Sequence, residues 1–225
     1  MTPLFIVLSL AIAVALTGLA WRDHARLRAS RVSLLNDAAV VLNGSSITLG
    51  GDGFPRLQGS YRGFEVRAEL IPDTMVVRRL PQLWLSVTLF NSMPGAPGFG
   101  ILARYSGNEF YALTTKFERT LSPPQGFPHE VLIRAEGHEA QMMLDRLRVP
   151  LSGLLADPHN KEVAVTSRGL RLVHQASEGR RGEHLLLRQA IFDTDGVAAA
   201  KFKGLLDQLA DLADAAGQCT NARAA

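Results

Sequence analysis

The most distinct hydrophobic pattern in the chain is an uncharged apolar run near its N-terminus. Residues Pro3–Trp21 read PLFIVLSLAIAVALTGLAW and contain no charged side chain. As a helix, this stretch would span roughly 28 Å, which is close to the hydrocarbon thickness of a bilayer. Trp21 stands where an interfacial aromatic residue is expected. The pattern predicts a single transmembrane helix over residues 1–21.

A cluster of arginines follows the apolar run directly. Its members are Arg22, Arg26, Arg28 and Arg31. Positive charge stays on the cytoplasmic side of a membrane, so the cluster predicts that the N-terminus lies outside and the following domain lies in the cytoplasm. The same side chains are candidate contacts for anionic lipid headgroups, each contributing about 1 kcal/mol near the surface. We expect residues 22–36 to form a basic helical stalk.

A cleaved signal peptide is the alternative interpretation of the same run. Gly18-Leu19-Ala20 places small residues at the two positions that a signal peptidase inspects. A signal peptide also has a basic n-region, whereas the only positive charge before this run is the terminal amine. The Ala- and Arg-rich, Lys-poor composition is typical of a high-GC bacterium. The sequence therefore favours anchoring in a bacterial inner membrane, with a periplasmic location as the alternative.

Alternating apolar and polar positions are typical of the region that follows, which we treat as one soluble domain over residues 37–217. The clearest strand is 64–70, whose apolar residues alternate with Glu65, Arg67 and Glu69. Asn43-Gly44 predicts a hairpin turn between two of the other strands. Those other strands are predicted at residues 39–42, 47–49, 83–90, 101–105, 110–117, 131–135, 162–167, 170–175 and 183–192.

Helical spacing of apolar residues occurs twice in the second half of the chain. The first helix is predicted over residues 140–155, where Pro150 is expected to kink or split it because proline lacks an amide donor. The second is predicted over residues 202–216, with Gly217 as its stop. The segment 218–225 is predicted to be a flexible tail.

These elements together predict an α+β fold. The predicted architecture is an N-terminal single transmembrane helix followed by a mainly antiparallel sheet, with one broken helix and a C-terminal helix packed on it. The strands do not alternate regularly with helices, so a doubly wound parallel sheet is not expected. The Pro- and Gly-rich stretch 122–128 is the candidate for an internal boundary.

Composition and charge narrow the class of function. The chain is 47% hydrophobic and 20% charged, as is usual for a globular protein. Its net charge is only +3 and the arginine cluster lies outside the predicted domain, so the domain lacks the basic stripe of a nucleic-acid reader. Cys219 is the only cysteine, which excludes an intramolecular disulfide.

No catalytic, cofactor or metal motif is complete in the sequence. His129-Glu130 and His138-Glu139 begin the zinc-peptidase pattern, but neither is followed by a second histidine at the required spacing. We therefore predict no catalytic residue, no cofactor and no metal site. An enzyme whose site is assembled from residues distant in sequence stays open as an alternative, because acid–base pairs need no local motif.

The loop at residues 91–100 is apolar for a connecting segment. Met93, Pro94, Pro97 and Phe99 make it the predicted interaction surface. With an anchor and no readable catalytic motif, the sequence favours a single-pass membrane protein whose cytoplasmic domain is a protein-binding or assembly module. The predicted partners are the membrane and one protein of unknown identity. A deep pocket with convergent buried carboxylates or histidines would favour a membrane-tethered enzyme instead.

Overall fold

The computed structural model describes residues 2–74, 80–181, 192 and 194–224. Within the helices, it describes only the backbone of residues 2–4, 20, 23, 24, 27, 28 and 220–224. The predicted strand at 183–192 therefore lies outside the described residues except for Phe192, which forms an isolated antiparallel bridge with Gly179.

The chain begins with a long helix, α1, over Thr2–Val32. A 3₁₀ turn at Ser33–Leu35 and a short helix, α2, at Asn36–Ala39 then lead into the sheet. Within the described residues, no helix is both long and apolar enough to cross a membrane, so these residues do not support the predicted transmembrane helix. The side chains of Pro3, Leu4 and Ala20 in that predicted span lie outside the described set.

Within the described residues, nine strands form one sheet in the order β1-β2-β3-β4-β9-β8-β5-β7-β6. Every pairing between these strands is antiparallel, which confirms the predicted sheet type. Strands from both sides of residues 122–128 belong to this single sheet. In chain order the strands are β1 Asn43–Leu49, β2 Pro55–Tyr61, β3 Phe64–Asp73, β4 Gln82–Phe90, β5 Phe99–Ala103, β6 Arg119–Thr120, β7 Val131–Ala135, β8 Asn160–Thr166 and β9 Gly169–Glu178.

In the described part of the chain, three further helices pack on one face of the sheet, giving an α+β fold. They are α3 at Ala140–Arg146, α4 at Arg148–Ala156 and α5 at Ala199–Ala224. The predicted broken helix is therefore present, but its break lies at Leu147 rather than at Pro150. Pro150 sits in the first turn of α4, where an amide has no partner within the helix, so proline is tolerated there.

Three predicted local features differ from the structure. Asn43-Gly44 opens β1 instead of turning a hairpin, because residues 36–39 are helical and residues 40–42 form the turn. Gly217 does not stop α5, which continues to Ala224. The predicted strand at 110–117 is also wrong, since that segment contains a 3₁₀ turn at Thr114–Lys116.

The two faces of the sheet have different environments. On β4, Leu83, Leu85, Val87 and Leu89 face the helices and are fully buried in the main core. The alternate residues of the same strand face the other side, which we call the outer face. The segment 104–117 covers part of this outer face, and a side chain at Gly100 would collide with Thr114, so β5 needs a glycine there.

Candidate functional site

A buried carboxylate lies at the centre of the outer face. Glu162 on β8 is 0% exposed, and its Oε1 accepts hydrogen bonds from the backbone N–H and the hydroxyl of Thr114, both at 2.7 Å. Its Oε2 lies 3.3 Å from the guanidinium of Arg171 on β9. Arg171 in turn donates to the hydroxyl of Ser86 and to the carbonyl oxygen of Tyr111. This network holds the segment 104–117 against the sheet.

The pKa of Glu162 reflects that burial. Burial raises the pKa, while the hydrogen bonds from Thr114 and the charge of Arg171 lower it, and the net direction is upward. Each oxygen of the carboxylate is nevertheless engaged by the protein itself. We infer that Glu162 has a positioning role within the fold, because it presents no unengaged oxygen to a ligand.

A second buried ion pair holds the start of the same segment. Lys161 Nζ lies 2.8 Å from Glu109 Oε1, and both side chains are at most 5% exposed. Lys161 also donates to the carbonyl oxygen of Arg104 at 2.7 Å. Glu109 accepts hydrogen bonds from the backbone N–H groups of Ser106 and Gly107. Burial alone would raise the pKa of Glu109, but the bonds from Lys161 and Ser106 outweigh it and lower the pKa to about 2.

An open groove of about 440 Å³ lies beside this network on the outer face. Ile71, Phe110 and Leu113 supply apolar walls, and Arg171 supplies one charged side. Tyr111 also lines the groove, with its ring centre 5.6 Å from that of Trp84. The Tyr111 hydroxyl and the Trp84 indole N–H are buried and have no hydrogen-bond partner among the described residues. The arrangement is a groove lined by both apolar and charged side chains, with two buried polar atoms that have no partner in the described part of the chain.

Two histidines meet at a cavity of about 320 Å³ on the opposite face, close to the start of α5. His174 on β9 is 4% exposed, and its ring centre lies 5.8 Å from that of His159, which directly precedes β8. Lys201 from the first turn of α5 also lines this cavity. Burial, followed by the charge of Lys201, lowers the pKa of His174 to about 4, so its ring is neutral near pH 7.

A carboxylate positions the more exposed member of the histidine pair. The Oδ1 atom of Asp157 lies 3.0 Å from His159 Nδ1 and 2.9 Å from the His159 backbone nitrogen. Its Oδ2 accepts a hydrogen bond from Lys201 at 3.2 Å. Burial raises the pKa of Asp157, but these bonds outweigh it and lower the pKa to about 2. Asp157 is therefore ionised near neutral pH and can only accept hydrogen bonds.

The outermost strand β1 forms an edge of the sheet that is open as far as the described residues extend. Among the described strands, β2 is its only neighbour. Gly50 N donates to Phe54 O at 2.9 Å, so the alternation of an antiparallel ladder places the backbone of Thr48 toward β2. The N–H and C=O groups of Ile47 and Leu49 then face the open side. β1 contains no charged residue and no proline, the usual protections of an edge strand.

The structure divides the predicted loop surface between core and solvent. Met93 and Phe99 are 3% and 0% exposed and belong to the main core, so they offer no interaction surface. Pro94 is exposed and Pro97 is half-buried. Pro97 lines a small apolar cavity of about 130 Å³ with Met142, Met143 and Cys219. The loop is apolar mainly because it closes the core.

The arginines predicted to contact lipid headgroups differ from one another in their exposure. Arg22 and Arg26 are exposed, as a headgroup contact requires. Arg31 is half-buried, with its guanidinium 4.6 Å from the centre of the Phe54 ring, so it packs on the domain. The side chain of Arg28 lies outside the described set. The cluster therefore contains at least one member with a structural role.

The residues of these sites were not apparent from local sequence motifs. His159 and His174 are brought together by the pairing of β8 with β9, and Glu162 reaches Thr114 across 48 positions of sequence. One signal was present, since Lys161-Glu162 directly precedes the apolar run Val163-Ala164-Val165 of the same strand. Charged residues are rarely fully buried unless they are paired, so this position could have indicated an internal ion pair.

Comparison with known proteins adds no functional assignment. No protein-family model and no curated protein sequence matches this chain. Within the described residues, no group of three or more His, Cys, Asp and Glu side chains is arranged to hold a metal ion.

Proposed function

We propose that this protein is a membrane-tethered binding module of a bacterial inner membrane. In this proposal the N-terminal apolar segment holds the domain at the bilayer, and the open edge of β1 binds an extended segment of a partner protein. The observation that carries the tether is the exposure of α1, because every side chain from Phe5 to Leu19 is exposed.

The exposed part of α1 is apolar all round, which favours a lipid environment. Ile6, Leu10, Val14 and Leu16 are each at least 60% exposed. A helix without a polar face is stable in apolar surroundings rather than in water. The arginines that follow favour the orientation with the N-terminus outside and the domain in the cytoplasm.

The joint between α1 and the sheet supports a domain held close to the membrane. Only the 3₁₀ turn, α2 and the turn at residues 40–42 separate the end of α1 from β1. Leu34 and Leu35 in this joint are 7% and 0% exposed and belong to the main core. A rigid connection of this kind places β1 near the bilayer, where a partner bound to the same membrane is concentrated.

The pairing of buried acidic side chains with basic side chains of the same domain supports binding rather than catalysis. Glu162 and Glu109, which are buried acids of the outer face, are both paired with basic side chains of the same domain. A catalytic acid or base needs an unengaged site within hydrogen-bond reach of a substrate. The backbone groups of Ile47 and Leu49 instead suit β-strand addition, in which main-chain hydrogen bonds supply the affinity.

The membrane tether is tested by replacing Leu10 and Ile12 with arginine in the full chain. Each arginine disfavours insertion by about 2.5–3.5 kcal/mol near the helix centre. We expect the wild type to stay in the membrane pellet after alkaline carbonate extraction and the double variant to appear in the supernatant. The matched control, Leu10→Ala with Ile12→Ala, should stay in the pellet.

Two outcomes would contradict the tether. One is release of the wild type by carbonate, and the other is a mature protein that begins near Trp21, which would indicate a cleaved signal peptide. A reporter fused to the C-terminus checks the orientation separately. Reporter activity confined to the periplasm would overturn the cytoplasmic location.

Binding of a partner at the open edge of β1 is tested by placing a photoreactive residue at Ser46 and cross-linking in native membranes. We expect a cross-link to an extended segment of one partner protein. Leu49→Pro should abolish it, since proline removes an amide donor that faces the open side and leaves the β1–β2 ladder intact. Leu49→Ala keeps the donor and should preserve the cross-link.

A photoreactive residue at Val149, which is exposed on α4, serves as the positional control and should not capture the same partner. Cross-linking to a second copy of this chain would show that the edge of β1 forms a dimer contact and does not bind a different partner protein. Cross-linking that is equal in the proline and alanine variants would exclude recognition through the strand edge.

A further inference from the structure

The hydrogen bonds around His174 determine which of its ring nitrogens carries the proton. Asn160 Nδ2 donates to the carbonyl oxygen of Leu154 at 2.7 Å, which fixes the orientation of the amide. Asn160 Oδ1 therefore faces His174 Nδ1, at 2.7 Å, as an acceptor. The proton of the neutral ring lies on Nδ1, and Nε2 carries the lone pair. Among the described hydrogen bonds, His174 Nε2 takes part in none.

The hydrogen bonds around His159 give the same result. Its Nδ1 faces Asp157 Oδ1 at 3.0 Å, and a carboxylate only accepts hydrogen bonds. The proton of this ring must also lie on Nδ1. Its Nε2 takes part in no described hydrogen bond, so two neighbouring imidazoles each keep one unengaged lone pair.

We propose that His159 and His174 bind one divalent transition-metal ion through their Nε2 atoms. The proposal goes beyond the tethering and binding function and does not depend on it. In metal sites, a ligating histidine usually donates its other ring N–H to a carboxylate, carbonyl or water oxygen. Asp157 and Asn160 occupy those supporting positions here. The geometry thus contains both ligands and both of their supports.

The separation of the rings fits a shared ion. Imidazole nitrogens bind zinc at about 2.0–2.1 Å, so two rings on one ion have centres on the order of 5–6 Å apart. The observed separation is 5.8 Å. A hydroxyl or amide donor could satisfy one lone pair, whereas a metal ion satisfies two at once. Neutral imidazole favours zinc, copper or nickel over calcium or magnesium.

The surrounding charges set the expected strength of the site. Lys201 lines the cavity and opposes a cation, but its ammonium group is paired with Asp157 Oδ2 at 3.2 Å. The protein supplies only two ligands, since no group of three or more His, Cys, Asp and Glu side chains is arranged around a metal in the described part of the chain. Water would complete the coordination, and the ion would exchange readily.

The test is calorimetric titration of the detergent-solubilised full chain with Zn²⁺, together with electron paramagnetic resonance of the Cu²⁺ form. We expect one ion per chain and a copper spectrum with two imidazole nitrogens. His159→Gln should weaken binding at least tenfold and leave one imidazole nitrogen in the spectrum. Because His159 is largely exposed, this variant is expected to fold. His174→Gln should have the same effect on binding.

Two control variants distinguish this site from metal binding elsewhere on the chain. His129→Gln removes an exposed histidine far from the pair in sequence and should leave binding unchanged. Lys201→Met should tighten binding, because it removes a nearby positive charge and frees Asp157 Oδ2. Weaker Zn²⁺ binding by this variant would overturn the proposal, because the charge of Lys201 opposes a cation in this cavity. Unchanged stoichiometry and affinity in His159→Gln, or no saturable binding by the wild type, would also overturn it.

Discussion

Replacing Glu162 by alanine is expected to lower the free energy of unfolding by about 3–5 kcal/mol, because it breaks an ion pair whose carboxylate is fully buried. Arg171, whose side chain is only 11% exposed, would be left without its carboxylate. The backbone N–H and the hydroxyl of Thr114 would also lose their shared acceptor in a site where water does not replace it. Urea denaturation of the full chain in detergent, followed by circular dichroism, measures the change.

The matched control for this experiment is Glu69→Ala on β3. Glu69 pairs with Arg56 at 3.7 Å, and both side chains are at least one-third exposed. Pairs of this kind contribute about 0–1 kcal/mol. Glu162→Gln keeps an oxygen acceptor for Thr114 but removes the charge facing Arg171, so an intermediate loss is expected. Equal losses for Glu162→Ala and Glu69→Ala would contradict the assigned role of Glu162.

The antiparallel sheet could be predicted because its strands have one buried and one outer face. Glu65, Arg67 and Glu69 alternate with apolar residues, and this period of two is found in the structure as β3. The apolar face of the last helix could also be predicted, and its residues Phe202, Leu206 and Leu209 are all fully buried. Local periodicity was sufficient to predict an element where that element buries one regular face.

The prediction failed where tertiary contacts override local preference. Asn43-Gly44 has the composition of a hairpin turn, but the chain before it packs Leu35 and Ala38 into the core as part of a helical joint. The segment 110–117 resembles a strand in its apolar content. It is instead held over the sheet by Glu162, an interaction that depends on distant residues.

The candidate sites were beyond local sequence reasoning for the same reason. The sequence contains six histidines but gives no reason to join His159 with His174. Their proximity depends on the register of β8 against β9, in which Asn160 lies opposite His174. The apolar composition of the loop at 91–100 predicted an interaction surface, but local sequence could not show that Met93 and Phe99 fill the core.

The Glu109–Lys161 pair predicts a defined dependence of stability on pH. The pKa of Glu109 falls from 4.5 to about 2 on folding. A carboxyl group with a lowered pKa stabilises the fold above its unfolded value and loses this effect as the pH falls through the folded value. At about 1.4 kcal/mol per unit, the contribution is about 3 kcal/mol near neutral pH, and most of it is lost by pH 2.

Comparison of Glu109→Gln with the wild type isolates this contribution from the other carboxylates. At pH 6 the variant is expected to be less stable, because buried Lys161 loses the charged carboxylate of Glu109. The stability difference between the two proteins should then shrink by about 3 kcal/mol as the pH falls from 6 to 2, since wild-type Glu109 is progressively neutralised. Glu118→Gln, at an exposed acid directly after the segment 104–117, should follow the wild-type curve. A difference between Glu109→Gln and the wild type that stays constant across this range would show that the charge of Glu109 does not stabilise that segment.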